Sequence, residues 1–280
     1  MIKDIMGIEY GRGACAVARD GGPANAPAAV KKMFPRKNWT IVTPARFSAT
    51  KCAADRFAEN TPVQKKICAQ TPTARHIMIG GDHSVNFGHF VTLADRMSDT
   101  DLCLIYIDAH LDIHTPTSSH RQASGAPHGT NVRALLGTGD ARWMALMKKK
   151  RALKPRTLFY LGTRSYEPAE IDFVQRNNIF VRTPDQIKTK TDLARAIREI
   201  KDKIGDRPYV VSFDFDAIDP KYFRDVWVPE RGGISVTAAE TLVREFAPDA
   251  HSFEFVEYAP TGDRPSADIV KTLVTIALNA

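Results

Sequence analysis

Seven short runs of apolar, β-branched or aromatic residues recur along the chain: 38–44 (NWTIVTP), 75–81 (RHIMIGG), 102–108 (LCLIYID), 157–163 (TLFYLGT), 178–182 (NIFVR), 209–216 (YVVSFDFD) and 252–257 (SFEFVE). Runs that are apolar on both faces and separated by helix-length segments predict buried parallel strands in a doubly wound α/β sheet. Between them the pattern predicts helices at about 24–34, 86–97, 142–150, 168–177, 191–204, 237–247 and 265–279. Thr237 and Glu240 stand at capping-box spacing and set the expected start of the helix at 237. No internal repeat, low-complexity tract or Pro/Gly/Ser-rich linker divides the chain, so residues 1–280 are expected to form one domain.

Ligands of such sheets gather beyond the carboxyl ends of the strands. Polar clusters there therefore carry the candidate chemistry. GGDHS places His83 two residues past a glycine pair expected to let the chain turn tightly; alone, this His reads equally as a cap or a satisfied polar residue. IDAHLDIH supplies Asp108, His110, Asp112 and His114 directly after the most apolar run, and alternation along extended chain would aim Asp108, His110 and Asp112 to one side. SFDFDAIDP puts Asp214 and Asp216 on one face of a strand whose other members, Val210, Val211, Phe213 and Phe215, are apolar. Carboxylates set side by side in an apolar sheet repel and lose hydration unless a cation neutralises them.

The candidate metal ligands are thus His83, Asp108, His110, Asp112, Asp214 and Asp216, two imidazoles and four carboxylates. This donor set suits Mn²⁺ and also accepts Fe²⁺, Co²⁺ or Ni²⁺. Six ligands exceed what one catalytic ion usually takes, which favours two ions sharing carboxylates.

Composition narrows the alternatives. The net charge of +7 raises the question of nucleic acid, but basic residues are scattered, and the dense run Lys148, Lys149, Lys150, Arg151 lacks aromatic interleaving and reads as a solvated helix end. Neither a nucleic-acid partner nor a membrane partner is expected. No run approaches the roughly 18 apolar residues of a membrane span, and the first residues lack a signal-peptide core, so a cytoplasmic location is expected. Cys15, Cys52, Cys68 and Cys103 are widely spaced with no CxxC pair, which argues against disulfides and a zinc-thiolate site.

The order GGDHS, DAHLDIH, SFDFDAIDP resembles the ureohydrolase family, which includes arginase, agmatinase, guanidinobutyrase and formimidoylglutamase; the similarity runs from 21–34 (GGPANAPAAVKKMF) to the last helix and is most like arginase. The resemblance implies a three-layer α/β/α fold with a mainly parallel eight-stranded sheet, and a homotrimer or homohexamer. It implies that His83, Asp108, Asp112 and Asp214 hold one Mn²⁺, and Asp108, His110, Asp214 and Asp216 the other. The implied reaction is hydrolysis of a guanidino C–N bond to urea and an amine, with Asp216 orienting the nucleophile and taking up its proton. His128, in SGAPHGTNV, matches the family's proton-shuttle His, and Glu257, in VEYAP, matches the carboxylate that pairs with the guanidinium. GTRSYEPAE resembles the segment that binds an α-amino group, giving Glu167 and Glu170 as substrate contacts, with Ser124 and His114 beside them.

The chain departs from the arginase pattern at His114 and Ala126, each replacing an Asn, in a longer 116–122 segment, and in KYFRDVWVPERGGIS after SFDFDAIDP, where Trp227 and Arg224 are candidates to line the pocket or a subunit contact. L-arginine is the first expected substrate. Agmatine or 4-guanidinobutyrate follows, because HGT after His128 is agmatinase-like, and then formimino substrates. From another class, a zinc deacetylase shares the general fold but would use one ion and a different His-rich set. A metal cluster that only braces the sheet would need neither His128 nor Glu257.

Overall fold

A computed structural model describes residues 2, 4–14, 22–44, 55–97, 100–119 and 124–280. Eight strands form one sheet: β1 (Asp4–Ile8), β2 (Asn38–Val42), β3 (His76–Ile79), β4 (Cys103–Ile107), β5 (Leu158–Leu161), β6 (Phe180–Arg182), β7 (Tyr209–Asp214) and β8 (Ser252–Val256). Their order is β2-β1-β3-β8-β7-β4-β5-β6, and every neighbouring pair is parallel.

Side-chain alternation along the strands builds a core on each face. From β4, Cys103, Ile105 and Ile107 pack with Val30, Leu193, Ile200, Phe246 and Leu273, which belong to α1 (Ala26–Met33), α7 (Lys190–Ile204), α8 (Val236–Phe246) and α9 (Arg264–Asn279). Leu104 and Tyr106 face the other way, toward Phe57, Phe87, Val132, Trp143 and Val174. These lie on α2 (Arg56–Gln70), α3 (Asn86–Arg96), α4 (Pro127–Leu135), α5 (Ala141–Met144) and α6 (Pro168–Arg176). The result is the expected three-layer α/β/α arrangement.

Several expectations from the apolar pattern are corrected. The seven runs omit β1, a five-residue strand interrupted by Gly7, where a Cβ would come within 2.7 Å of Ile41. Helix α2 escapes the pattern because Pro62 lies inside it and its sequence is largely polar; Asp55 starts it by accepting from Ala58 N at 3.0 Å. Helix α4 hides behind Pro127 at its first turn. The helix expected at 142–150 ends at Met144, so the exposed Lys148–Arg151 run lies in irregular chain beyond it rather than at a helix end. Helix α8 is capped by Ser235, whose Oγ accepts from Ala238 N at 3.1 Å, two residues ahead of the expected Thr237–Glu240 box.

Cys15 and Cys52 lie outside the described residues, while Cys68 and Cys103 are free thiols. Among the described residues no helix is long and apolar enough to cross a membrane.

Candidate active site

Strands β3, β8, β7 and β4 are consecutive in the sheet and point the same way, so their carboxyl ends open onto one edge. His83 follows β3, Asp108, His110 and Asp112 follow β4, Asp214 ends β7 with Asp216 just beyond, and Glu257 follows β8. The glycine pair before His83 serves close approach rather than a tight turn: a Cβ on Gly81 would lie 1.5 Å from the Tyr10 carbonyl oxygen. Convergence of the acids does not come from strand alternation either. Strand β4 stops at Ile107, and Asp216 sits in a single 3₁₀ turn, Phe215–Ala217. The turns are fixed by the acids themselves, since Asp108 Oδ1 accepts from His110 N at 2.6 Å and Asp214 Oδ1 from Asp216 N at 2.8 Å.

The six candidate ligands meet. His83 Nδ1 lies 2.9 Å from Asp108 Oδ2, 3.1 Å from Asp214 Oδ2 and 3.5 Å from Asp112 Oδ2. His110 Nδ1 lies 3.0 Å from Asp216 Oδ2 and 3.4 Å from Asp108 Oδ1. Donor atoms of His83, Asp108 and Asp112 form one group within 4.8 Å, those of Asp108, His110 and Asp216 a second, and Asp108 belongs to both.

A single imidazole N–H satisfies one acceptor, yet three carboxylate oxygens crowd His83 Nδ1. Asp108 Oδ2 meets no donor at hydrogen-bonding geometry among the described residues. Burial pushes the Asp112 carboxyl up to about 7, helped by the Asp108 charge. Burial likewise raises Asp214 well above the carboxylate range, with Asp216 and Asp108 adding repulsion, and raises Asp216, with Asp108 next. For Asp108, burial is outweighed by His110 and His83, and its carboxyl stays below the ordinary range. Four mutually opposed carboxylates around two imidazoles fit divalent cations.

Residues that the motifs do not announce shape this cluster. Ser212 Oγ lies 2.9 Å from His83 Nε2, and Tyr106 stacks on the His83 ring at 4.3 Å and 8°. Tyr106 also donates to Asp112 Oδ2 at 2.7 Å, while Asn131 Nδ2 reaches the Tyr106 hydroxyl at 3.2 Å. Asp112 and Glu257 both adopt left-handed backbone, with φ of 49° and 62°. Glu257 Oε1 accepts from His83 N at 2.8 Å, and burial, followed by the Asp82 charge, holds its carboxyl well above the usual range.

The cluster floors a cavity of about 390 Å³ whose lining includes His110, Asp112, Asp214 and Asp216 together with His114, Ser124, His128, Glu167, Glu170 and Glu257. Every expected substrate or catalytic residue therefore borders one space. A larger groove of about 560 Å³ over α8 and α9, lined by Arg244, Lys271, Thr272 and Asn279 among others, offers no carboxylate or imidazole side chain. Burial pushes the His128 imidazole down to about 4, so it is neutral at pH 7. His114 Nε2 lies 3.2 Å from Glu170 Oε2 and 3.6 Å from Glu167 Oε1.

The divergent 221–235 segment contributes Val226, Val228 and Glu230 to the cavity, and neither Trp227 nor Arg224. Trp227 instead packs against Gly22, where an added Cβ would fall 1.8 Å from its ring. Arg224 is exposed, and its backbone N–H donates to Ser266 Oγ at 3.0 Å. Glu230 Oε1 accepts from Ser165 Oγ at 3.0 Å and lies 3.7 Å from His110 Nε2. Arg164 ties this segment to the strand ends by donating to the carbonyls of Gly162, Asp216, Ala217, Glu230 and Arg231. No local pattern signals Glu230 or Arg164, because the Arg164 partners other than Gly162 lie 52 to 67 residues away and Glu230 is 65 residues from Ser165.

The arginase family model matches residues 17–280. An arginase of Eremothecium gossypii is 30% identical over 205 residues, covering 71% of this chain and 50% of that protein. An Entamoeba histolytica arginase is 30% identical over 188 residues, covering 66% and 62%. The chain thus spans about half to three-fifths of the length of these relatives. In structure, an Entamoeba histolytica arginase in complex with L-ornithine superposes with a TM-score of 0.87 at 22% identity, covering 100% of this chain and 99% of that one, which shows a shared fold. Given the family match over nearly its whole length, the chain belongs to the arginase family.

Proposed function

We propose that the protein is an arginase that holds two Mn²⁺ ions and hydrolyses L-arginine to L-ornithine and urea. The observation that carries this reading is the sharing of Asp108 between two donor groups whose members His110, Asp112 and Asp216 line a cavity that Glu257 also borders. His83, Asp108, Asp112 and Asp214 would hold one ion, and Asp108, His110, Asp214 and Asp216 the other. When bound, the pair supplies a water nucleophile acidified enough to react near neutral pH.

The chain's own residues do the rest. Glu257 pairs with the guanidinium, whose planar donors match a carboxylate, and so turns the central carbon toward the cluster. Asp216 orients the nucleophile and takes up its proton. His128, neutral at pH 7, relays that proton, accepting it from Asp216 and handing it to the departing amine. Val226 and Val228 supply apolar lining for the aliphatic stem, and Ser124, His114, Glu167 and Glu170 supply polar lining for the rest of the substrate. Residues 1–280 act as one ureohydrolase domain in a cytoplasmic homotrimer or homohexamer, a reading that rests on the family pattern.

One observation favours a second substrate. His114 sits against Glu170 and Glu167, partly neutralising the acids that would meet an α-amino group, which suits 4-guanidinobutyrate, a substrate without that ammonium, better than a site with Asn there would. Urea release by the Mn²⁺-loaded protein from L-arginine, agmatine and 4-guanidinobutyrate, with a chelated control, tests both. Urea from L-arginine alone supports arginase. Urea from neither these substrates nor any other guanidine overturns the class.

A further inference from the structure

Gly13 and His128 are 115 residues apart, yet the Gly13 carbonyl oxygen lies 3.1 Å from His128 Nδ1. A backbone carbonyl only accepts, so Nδ1 carries the hydrogen and Nε2 keeps its lone pair. Gly13 is itself fastened, because its N–H donates to Asp82 Oδ2 at 2.7 Å. Asp82 is 0% exposed, its Oδ1 accepts from Ser84 N at 2.9 Å, and its own N–H donates to the Tyr10 carbonyl at 2.9 Å. The fit is close: a Cβ on Gly13 would lie 2.4 Å from Ser84 Oγ and 2.5 Å from Asp82 Oδ1.

We propose that Asp82 is a positioning residue for His128, acting through the Gly13 peptide: it holds Gly13 N–H so that the Gly13 carbonyl fixes the imidazole as its Nδ1–H tautomer, leaving Nε2 as the nitrogen that exchanges protons with the cavity. The role of His128 in turnover rests on the proposed function; its tautomer does not. Asp82 does not line the cavity, and its link to His128 runs through one peptide unit; because its Oδ1 also caps the His83 turn and its charge also acts on Glu257, the His128-dependent part of its effect is what the double-mutant cycle isolates. Without it the imidazole is free to rotate or to place its hydrogen on Nε2, where it could no longer accept.

Ring ¹⁵N shifts of His128 in Zn²⁺-loaded protein test the tautomer without any turnover. The expected pattern is a protonated Nδ1 and a bare Nε2 in the unaltered protein, with averaging of the two nitrogens in Asp82→Ala. Asp82→Asn, whose amide oxygen can still accept from Gly13, should preserve most of the unaltered pattern and guards against a folding defect. A double-mutant cycle supplies the kinetic arm: Asp82→Ala should lower kcat about tenfold or more, leave KM and metal content within twofold, and cost nothing further in a His128→Ala background. A bare Nδ1 in the unaltered protein, or an equal loss with and without His128, overturns the proposal. Absence of urea from every guanidine with the expected shifts present would instead sink the functional reading alone.

Discussion

Ser212 Oγ and His83 Nε2 lie 2.9 Å apart on the side of the imidazole away from the three carboxylates that crowd Nδ1. With Nε2–H donated to the hydroxyl, Nδ1 is left bare for a cation, the arrangement by which outer partners tune metal-binding histidines. Ser212→Ala is therefore expected to weaken divalent-metal affinity about 10-fold to 100-fold while preserving the fold. Calorimetric titration of the metal-free protein with Mn²⁺ measures it, and an unchanged isotherm would remove Ser212 from the site.

Asp216 faces His110 and helps form only one of the two donor groups. Replacing it with Ala should abolish urea release while one ion remains near His83. Metal analysis after gel filtration gives the ratio directly. Full activity would refute the ligand assignment.

Glu257 should be felt through substrate rather than metal. Removing the carboxylate from a close guanidinium pair typically costs about 2–5 kcal/mol. Glu257→Gln is thus expected to lower kcat/KM by about 30-fold or more at unchanged metal content. A variant that loses its ions instead would recast Glu257 as a brace for His83.

Acid should destabilise the fold at a point away from the pocket. His76 on β3 donates through Nδ1 to the Ala74 carbonyl at 2.8 Å and lies Nε2 to Nε2, 2.7 Å, from His89, whose Nδ1 meets Glu254. Burial, then the neighbouring His89, pushes His76 down to about 3. The unfolded chain binds that proton near pH 6.5 and the folded chain does not, so the stability present above about 6.5 is lost as pH falls toward 3. The slope attributable to this group is at most about 1.4 kcal/mol per pH unit. Denaturant unfolding of chelated protein at pH 7 and pH 5 should show a smaller pH difference for His76→Gln than for the unaltered chain; equal differences would mean that His76 titrates normally.

The clustering of the candidate donors was legible because each follows an apolar run that a buried parallel strand requires, and a carboxylate there has few other uses. The mechanism of their convergence was not legible, since the turns at Asp108 and Asp216 depend on side-chain-to-backbone bonds rather than on strand alternation. Helices α2 and α4 were missed where Pro62 and Pro127 look like breakers, although one helix carries its proline inside and the other begins with it. Neither Ser212 nor Asp82 stands out from the sequence. Their partners are 129 and 69 residues away, beyond any local pattern.

Among the described residues, three non-glycine positions hold a left-handed backbone, Asp112, Asn178 and Glu257, and such strain costs of order 1–3 kcal/mol where a bulky residue bears it. Glycine would relax any of them. At Asp112 and Glu257 that relief would delete a carboxylate from the pocket, so an engineer seeking thermal robustness by backbone relaxation would be selecting for inactive protein there. Asn178, exposed in the turn after α6, is the place where the same substitution can harden the molecule without touching its chemistry.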